Sequence, residues 1–187
     1  MKKLRSRKGM SLAETLVTVA IFSIVLVAVT TGSTAAYHVY KKVSEKADAE
    51  TLLSTSILAV SEDLYNASDV VLQGDTDESS FGTVLYFYNK ALNYNENFSN
   101  ESDSSDSSKT IINRKLWKID EEVTPETGAK DPVIADKTQT LGLYAKLDST
   151  IGLQYCAAKN CFKFKVIVYD KNGKQIAEQI AYAHGLE

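Results

Sequence analysis

One uncharged segment constrains this chain more than any other feature. Residues 15–40 contain no Asp, Glu, Lys or Arg, and residues 16–29 are almost entirely apolar. At about 1.5 Å per residue, a helix over this run crosses most of a hydrocarbon layer about 30 Å thick. Basic residues precede it: Lys2, Lys3, Arg5, Arg7 and Lys8. Because such cations stay on the cytoplasmic side, we expect the rest of the chain to lie outside the membrane.

Glu14 is the exception at the edge of this apolar segment. A carboxylate near the centre of a membrane costs about 2–3 kcal/mol, so we expect it to have a cationic partner. Nearby residues of the same chain offer none. Cleavage after Gly9 would create an α-amine on Met10, and the amine of a neighbouring copy could approach Glu14 inside an apolar bundle. This explanation requires both a proteolytic cut and an assembly.

The residues around Glu14 form a motif. Lys8 and Gly9, then Met10-Ser11-Leu12-Ala13-Glu14 and an apolar helix, resemble the class III leader of type IV pilins and type II secretion pseudopilins. In that family a prepilin peptidase cuts after the glycine and methylates the new N-terminus. The resemblance implies cleavage between Gly9 and Met10, N-methylation of Met10, and pairing of Glu14 with a neighbouring N-terminus.

Two positions depart from the family pattern. Met10 stands where the family most often has phenylalanine, and residues 30–33 hold Thr-Thr-Gly-Ser where many members carry a proline. Any local melting of the helix there would rest on glycine and β-branched residues, which interrupt a helix less than proline does.

The resemblance also implies partners and a location. The expected partners are prepilin peptidase, other pilin subunits through the N-terminal helix, an inner assembly platform and the membrane. The protein would be a single-pass protein of the cytoplasmic membrane before assembly, and part of a surface pilus or pseudopilus afterwards. Residues 49–67 and the strands after them are faintly similar to minor pilins, which favours a minor subunit. Adhesion, motility, DNA uptake and secretion all stay open as roles.

Two alternatives compete with this interpretation. An ordinary secretory signal peptide also has an apolar core of this length, and Ser33-Thr34-Ala35 is an acceptable cleavage site for it. The other alternative is a secreted or membrane-tethered binding domain that forms no filament.

The pattern after the apolar segment predicts an α+β fold of pilin type, with a long N-terminal helix packed on an antiparallel sheet. The predicted parts are a leader at 1–9, a transmembrane assembly helix at 10–31, its amphipathic continuation at 32–67 and an extracellular β-rich domain at 68–187. Apolar positions in the continuation recur every three or four residues, apart from one gap. They are Tyr40, Val43, Ala47, Leu53, Ile57, Val60 and Leu64.

The end of the chain predicts a β-hairpin. Residues 162–169 alternate between apolar and other side chains, the turn 170–173 ends in Asn-Gly, and a second strand follows over 174–182. Four alternating residues should face the helix: Phe162, Phe164, Val166 and Val168. On the return strand, Ile176, Ile180 and Tyr182 share a face and are candidates for the same core.

Residues 95–110 predict a disordered loop. Its low-complexity part, residues 99–108, contains no apolar side chain whose burial could offset the entropy of ordering. Asp75, Asp77 and Glu78 could coordinate calcium, but no EF-hand register surrounds them, so a surface turn is favoured and calcium binding stays open.

The cysteines Cys156 and Cys161 are the only two in the chain. In an oxidising exterior a pair this close can form a disulfide, worth about 2 kcal/mol for so short a loop. Metal binding would need further ligands, and His38 and His184 lie at opposite ends of the soluble sequence, so no metal site and no cofactor are predicted.

No catalytic motif is evident, and we interpret the chain as the substrate of a processing enzyme and not as an enzyme. The formal net charge is −3, and removal of the basic leader makes it more negative. Nucleic-acid binding is therefore not predicted.

Overall fold

The computed structural model describes residues 11–103, 106–118, 129–134 and 142–185. One helix, α1, spans Leu12–Tyr65 and is followed by β-strands and one turn of 3₁₀ helix at Ala157–Lys159. The strands are β1 Ala67–Leu72, β2 Gly82–Asn89, β3 Tyr94–Asp103, β4 Asp106–Trp117, β5 Ala129–Pro132, β6 Tyr144–Leu147, β7 Leu153–Cys156, β8 Cys161–Tyr169 and β9 Gln175–His184. The predicted α+β class is confirmed.

The chain divides into two compact units, Met1–Glu45 and Lys46–Glu187. We call their described parts the N-terminal unit (residues 11–45) and the C-terminal unit (residues 46–185). The N-terminal unit consists of α1 residues and the residue before them, and most of its side chains are exposed. The predicted boundaries at residues 31 and 67 stay predictions.

The strands of the C-terminal unit form one curled antiparallel sheet. Its order is β5-β4-β3-β2-β7-β8-β6, with β1 paired to β2 and β9 paired to β8. The side chain of Asn100 in β3 ties the β3–β4 hairpin to β6, because its Nδ2 donates to the carbonyl oxygen of Leu147 at 2.7 Å and its Oδ1 accepts from the Leu147 amide at 2.9 Å.

The core of the C-terminal unit lies between one face of α1 and the inner face of the sheet. Ala49, Val60 and Leu64 of the helix have no exposed surface, and neither do Phe87, Phe162, Phe164, Val166 and Val168 of the sheet. Three residues of the predicted helix stripe are confirmed as buried: Leu53, Val60 and Leu64. The stripe does not extend to Tyr40 and Val43, which are exposed.

The predicted C-terminal hairpin is confirmed, but two of the three residues predicted for the core on its return strand face outward. The third, Ile176, is half-buried and packs against the core. Ala181 and Ala183 of β9 are buried opposite Phe164 and Phe162, while Ile180 and Tyr182 are exposed. The register shifts by one residue between the pairs Tyr169↔Gln175 and Val168↔Ala177. Without that bulge, Phe164 would lie opposite Ile180 and Phe162 opposite Tyr182, which would bring these two predicted core residues to the inner face. A shift of one residue exchanges the two faces of a strand.

The prediction of a disordered loop at 95–110 is wrong for the described residues of that range. They form most of β3 and the first part of β4, which pair from Asn95↔Trp117 to Asp103↔Asp106. Several inward-facing residues are polar, and Asn100 among them is satisfied by its two hydrogen bonds to Leu147. On the other face, Glu101 pairs with Lys115 at 2.8 Å and also with Lys130. Backbone ladders and ion pairs therefore order a segment that lacks an apolar pattern.

Candidate functional site

The predicted processing and assembly site lies at the start of α1. Gly9 and Met10 are outside the described residues, and Glu14 is in the first turn of the helix. The Glu14 amide donates to the carbonyl oxygen of Ser11 at 3.0 Å and to Ser11 Oγ at 3.3 Å. Ser11 is thus the N-cap, and the spacing from Ser11 to Glu14 is that of a capping box.

The position of Glu14 has a local structural basis. A carboxylate in the first turn of a helix interacts favourably with the positive end of the helix dipole. Among the described residues, the ion pairs do not include Glu14. The partner expected from the sequence, the α-amine of Met10 in another copy, lies outside what is described, so this pairing stays a prediction.

The surface that follows Glu14 is apolar over its whole circumference. In the described residues, α1 is the one helix long and apolar enough to cross a membrane, with an 18-residue window of mean hydropathy 2.4 that is entirely unburied. Leu16, Phe22 and Ile24 are 65%, 65% and 71% exposed. Soluble proteins rarely expose an apolar surface of this extent, so lipid or other protein chains must cover it.

Most hydroxyl groups in this part of α1 are satisfied within the helix. Thr18 Oγ1 donates to the Glu14 carbonyl oxygen at 2.7 Å, and Ser23 Oγ donates to that of Val19 at 2.8 Å. The same bond to a carbonyl three or four residues earlier is made by Thr15, Thr30, Thr31 and Thr34. These groups need no water, which makes a polar-containing helix compatible with a hydrocarbon environment.

The two cysteines are brought together but are not bonded. Cys156 and Cys161 are direct partners across β7 and β8, and both are buried free thiols. Their sulfur atoms point to different acceptors, Cys156 Sγ to the Glu78 carbonyl oxygen and Cys161 Sγ to that of Phe162, each at 3.5 Å. Burial raises the pKa of the Cys161 thiol. The predicted disulfide is therefore wrong for this structure, although the predicted proximity is present.

The other residues considered as possible metal ligands do not lie together in the structure. Asp75, Asp77 and Glu78 lie exposed in the connection from β1 to β2. His184 is exposed at the end of β9, and the ring of His38 contacts Tyr37 with 6.2 Å between ring centroids. Within the described ranges, no three His, Cys, Asp or Glu side chains are grouped as metal ligands would be.

Sequence analysis missed one polar cluster. Asp63 of α1, Glu96 of β3 and Arg114 of β4 meet on the inner face of the sheet, and Arg114 also contacts Asp131 of β5 at 2.6 Å. Glu96 lies within the range predicted as a loop, and Asp63 follows Glu62 in a part of the helix where charged residues are common. The available signal was the alternation of Glu96, Phe98 and Asn100, which has the period of a strand.

Comparison with known proteins assigns the N-terminal region. Residues 4–30 match the family model described as the prokaryotic N-terminal methylation motif. This motif is the class III prepilin leader, so the predicted leader resemblance is confirmed, and the motif supports a prepilin-type, membrane-anchored subunit. The match ends within α1 and does not include the C-terminal unit. No curated protein and no solved structure matches the chain.

Proposed function

We propose that this protein is a prepilin that is cut between Gly9 and Met10, methylated on the Met10 amine, and assembled through α1 into a type IV pilus or pseudopilus. The observation that carries the proposal is the methylation motif at residues 4–30, followed directly by a helix surface that lacks any cover of its own. An apolar helix of this kind can be stored in a bilayer and later packed against copies of itself.

In the assembled state Glu14 pairs with the methylated amine of a neighbouring Met10. The pairing is favoured by the low dielectric of a helix bundle, where an unpaired carboxylate is costly. The cap made by Ser11 supports this geometry, because it fixes where the helix begins and thus the distance between Glu14 and the new N-terminus.

The proposed role is that of a minor subunit. Support comes from the faint similarity of residues 49–67 and the following strands to minor pilins. The second candidate function is a membrane-tethered domain that binds an external ligand and forms no filament. It is favoured by the separate core of the C-terminal unit, which does not require assembly.

Processing is tested first, by N-terminal sequencing and intact mass of the protein purified from the cells that produce it. The proposal expects a chain that begins at Met10 and carries one added methyl group. A chain that begins at Ala36 would instead identify a signal peptide. Gly9→Val should leave the full-length precursor in the membrane fraction.

Assembly is tested with Glu14→Ala, using Glu50→Ala as the matched control on an exposed side of the same helix. Glu14→Ala should be cleaved and inserted normally but be lost from sheared filaments. The control should be incorporated like the parent protein. Unchanged incorporation of Glu14→Ala would refute the role of Glu14, and absence of the parent protein from every filament fraction would favour the tethered domain.

A further inference from the structure

Glu96 is a carboxyl group enclosed in the core of the C-terminal unit. It pairs in register with Phe87 of β2 and Leu116 of β4, and its side chain points inward with that of Phe87. Both residues have no exposed surface. An ionised carboxylate in such a place requires a cation or several donors, since the loss of its hydration is otherwise uncompensated.

The partners of Glu96 do not meet that requirement. Asn89 Nδ2 donates to Glu96 Oε2 at 2.7 Å. Glu96 Oε1 is buried and has no donor among the described residues. The neighbouring acidic group is the carboxyl of Asp63, whose charge raises the pKa of Glu96. Two ionised carboxylates repel each other and cannot share a hydrogen bond, so the contact requires one proton.

The proton belongs on Glu96 because Arg114 holds Asp63 in its charged form. Arg114 Nη1 donates to both carboxylate oxygens of Asp63, at 3.2 Å and 3.3 Å. Arg114 Nη2 donates to Asp131 at 2.6 Å. The guanidinium is therefore committed to two carboxylates.

We propose that Glu96 keeps its proton at neutral pH and donates it from Oε1 to Asp63, so that Glu96, Asp63 and Arg114 form a proton-dependent latch between the end of α1 and the β3–β4 hairpin. The latch joins the last turns of the helix to these two strands. The proton is a structural component of this contact.

The groups around the latch act on the Glu96 carboxyl in opposite directions. Burial and the charge of Asp63 raise the pKa of Glu96, whereas the Asn89 hydrogen bond and the charge of Arg114 lower it, and the net pKa is about 8. Glu62 on the same helix turn is a further negative group near Asp63. A cleft of about 330 Å³ lined by Asp63, Asn89 and Arg114 lies beside the latch.

The latch should make the folded protein less stable as the pH rises. The unfolded chain releases the Glu96 proton near pH 4.5, whereas the folded protein keeps it until about pH 8. The contribution of the latch is therefore complete below about pH 4.5 and is lost as the pH rises towards 8. Across that window the unfolding equilibrium constant should rise by up to about tenfold per pH unit.

The test uses the full chain in detergent micelles. Urea unfolding between pH 5 and 9 is followed by the fluorescence of Trp117, the single and buried tryptophan. Glu96→Gln should lose most of this pH dependence, because an uncharged amide can donate to Asp63 and accept from Asn89 at every pH. Glu101→Gln is the matched control on the outer face of the same strand, and it should keep the slope of the parent protein over this range.

The second measurement is the pH titration of the Glu96 side-chain carbon by NMR in ¹³C,¹⁵N-labelled protein, assigned through its bonds to the Glu96 amide. Titration near pH 8 supports the latch even if Glu96→Gln does not fold. Titration near the ordinary value for glutamate would overturn it, as would a Glu96→Gln protein whose unfolding constant rises with pH as steeply as that of the parent.

Discussion

The N-terminal and C-terminal units are both well-ordered parts of one chain, but different interactions define them. In the N-terminal unit, hydrogen bonds of the helix backbone and of its own hydroxyls are satisfied locally, and large apolar side chains such as Phe22 stay exposed. In the C-terminal unit, Phe164 is fully buried among residues distant in sequence. Substitutions in the first unit should therefore affect the proposed assembly, and substitutions in the second should affect folding.

The largest expected difference is between substitutions of a buried and of an exposed phenylalanine. Phe164→Ala should lower the free energy of unfolding of the C-terminal unit by about 3–5 kcal/mol, because it removes a fully buried ring and leaves a cavity. Phe22→Ala should change the same quantity by less than about 0.5 kcal/mol. Urea unfolding followed by Trp117 fluorescence measures both. A similar loss in the two variants would contradict the comparison.

A somewhat smaller effect distinguishes the ion pairs. Arg114→Met should cost about 3 kcal/mol, since it leaves the buried carboxylate of Asp63 without its cation. Lys46→Met breaks the exposed pair with Glu50 and should cost less than about 0.5 kcal/mol. The same unfolding experiment at pH 7 provides the measurement. A cost for Arg114→Met as small as that for Lys46→Met would mean that the guanidinium contributes no net stabilisation.

The smallest expected effects are those of alanine substitutions at two glycines. The change in stability should have opposite signs at the two positions. Gly173 has φ 79° in the β8–β9 turn, and alanine there should lower the free energy of unfolding by about 1 kcal/mol. Gly32 lies in the helix with nothing within 4 Å of an added Cβ, and alanine there should stabilise the helix by about 1 kcal/mol. Hydrogen exchange of the amides after residue 32 should then slow about fivefold. Faster exchange would show that Gly32 has a packing role.

Local features of the sequence were sufficient to predict the N-terminal helix and the C-terminal hairpin. An uncharged run next to a basic cluster and the Asn172-Gly173 turn each determine structure over a few neighbouring residues. The leader motif around Gly9 and Glu14 was readable for the same reason, since its residues are consecutive in the chain. No tertiary contact is needed to recognise any of them.

Features that depend on register were not predictable. The bulge at Val168 and Tyr169 changes which side of β9 is buried, and both candidate sides of that strand contain apolar residues. In strand β3, the inward-facing residues Glu96, Phe98 and Asn100 alternate with outward-facing ones. Because this segment is rich in polar residues, its composition predicts a loop. Their partners come from α1, β2 and β6, so only the assembled fold shows why these polar side chains are tolerated inside.

The described helix begins at Leu12 and is capped by Ser11, so the proposed cleavage site lies before the first described residue of the helix. A cut between Gly9 and Met10 would lie before Ser11 and would leave every described residue of α1 in the mature chain. The free energy of unfolding of the C-terminal unit should therefore be nearly the same before and after the proposed cleavage. The charge in front of α1 would change from a cluster of cations to a single amine.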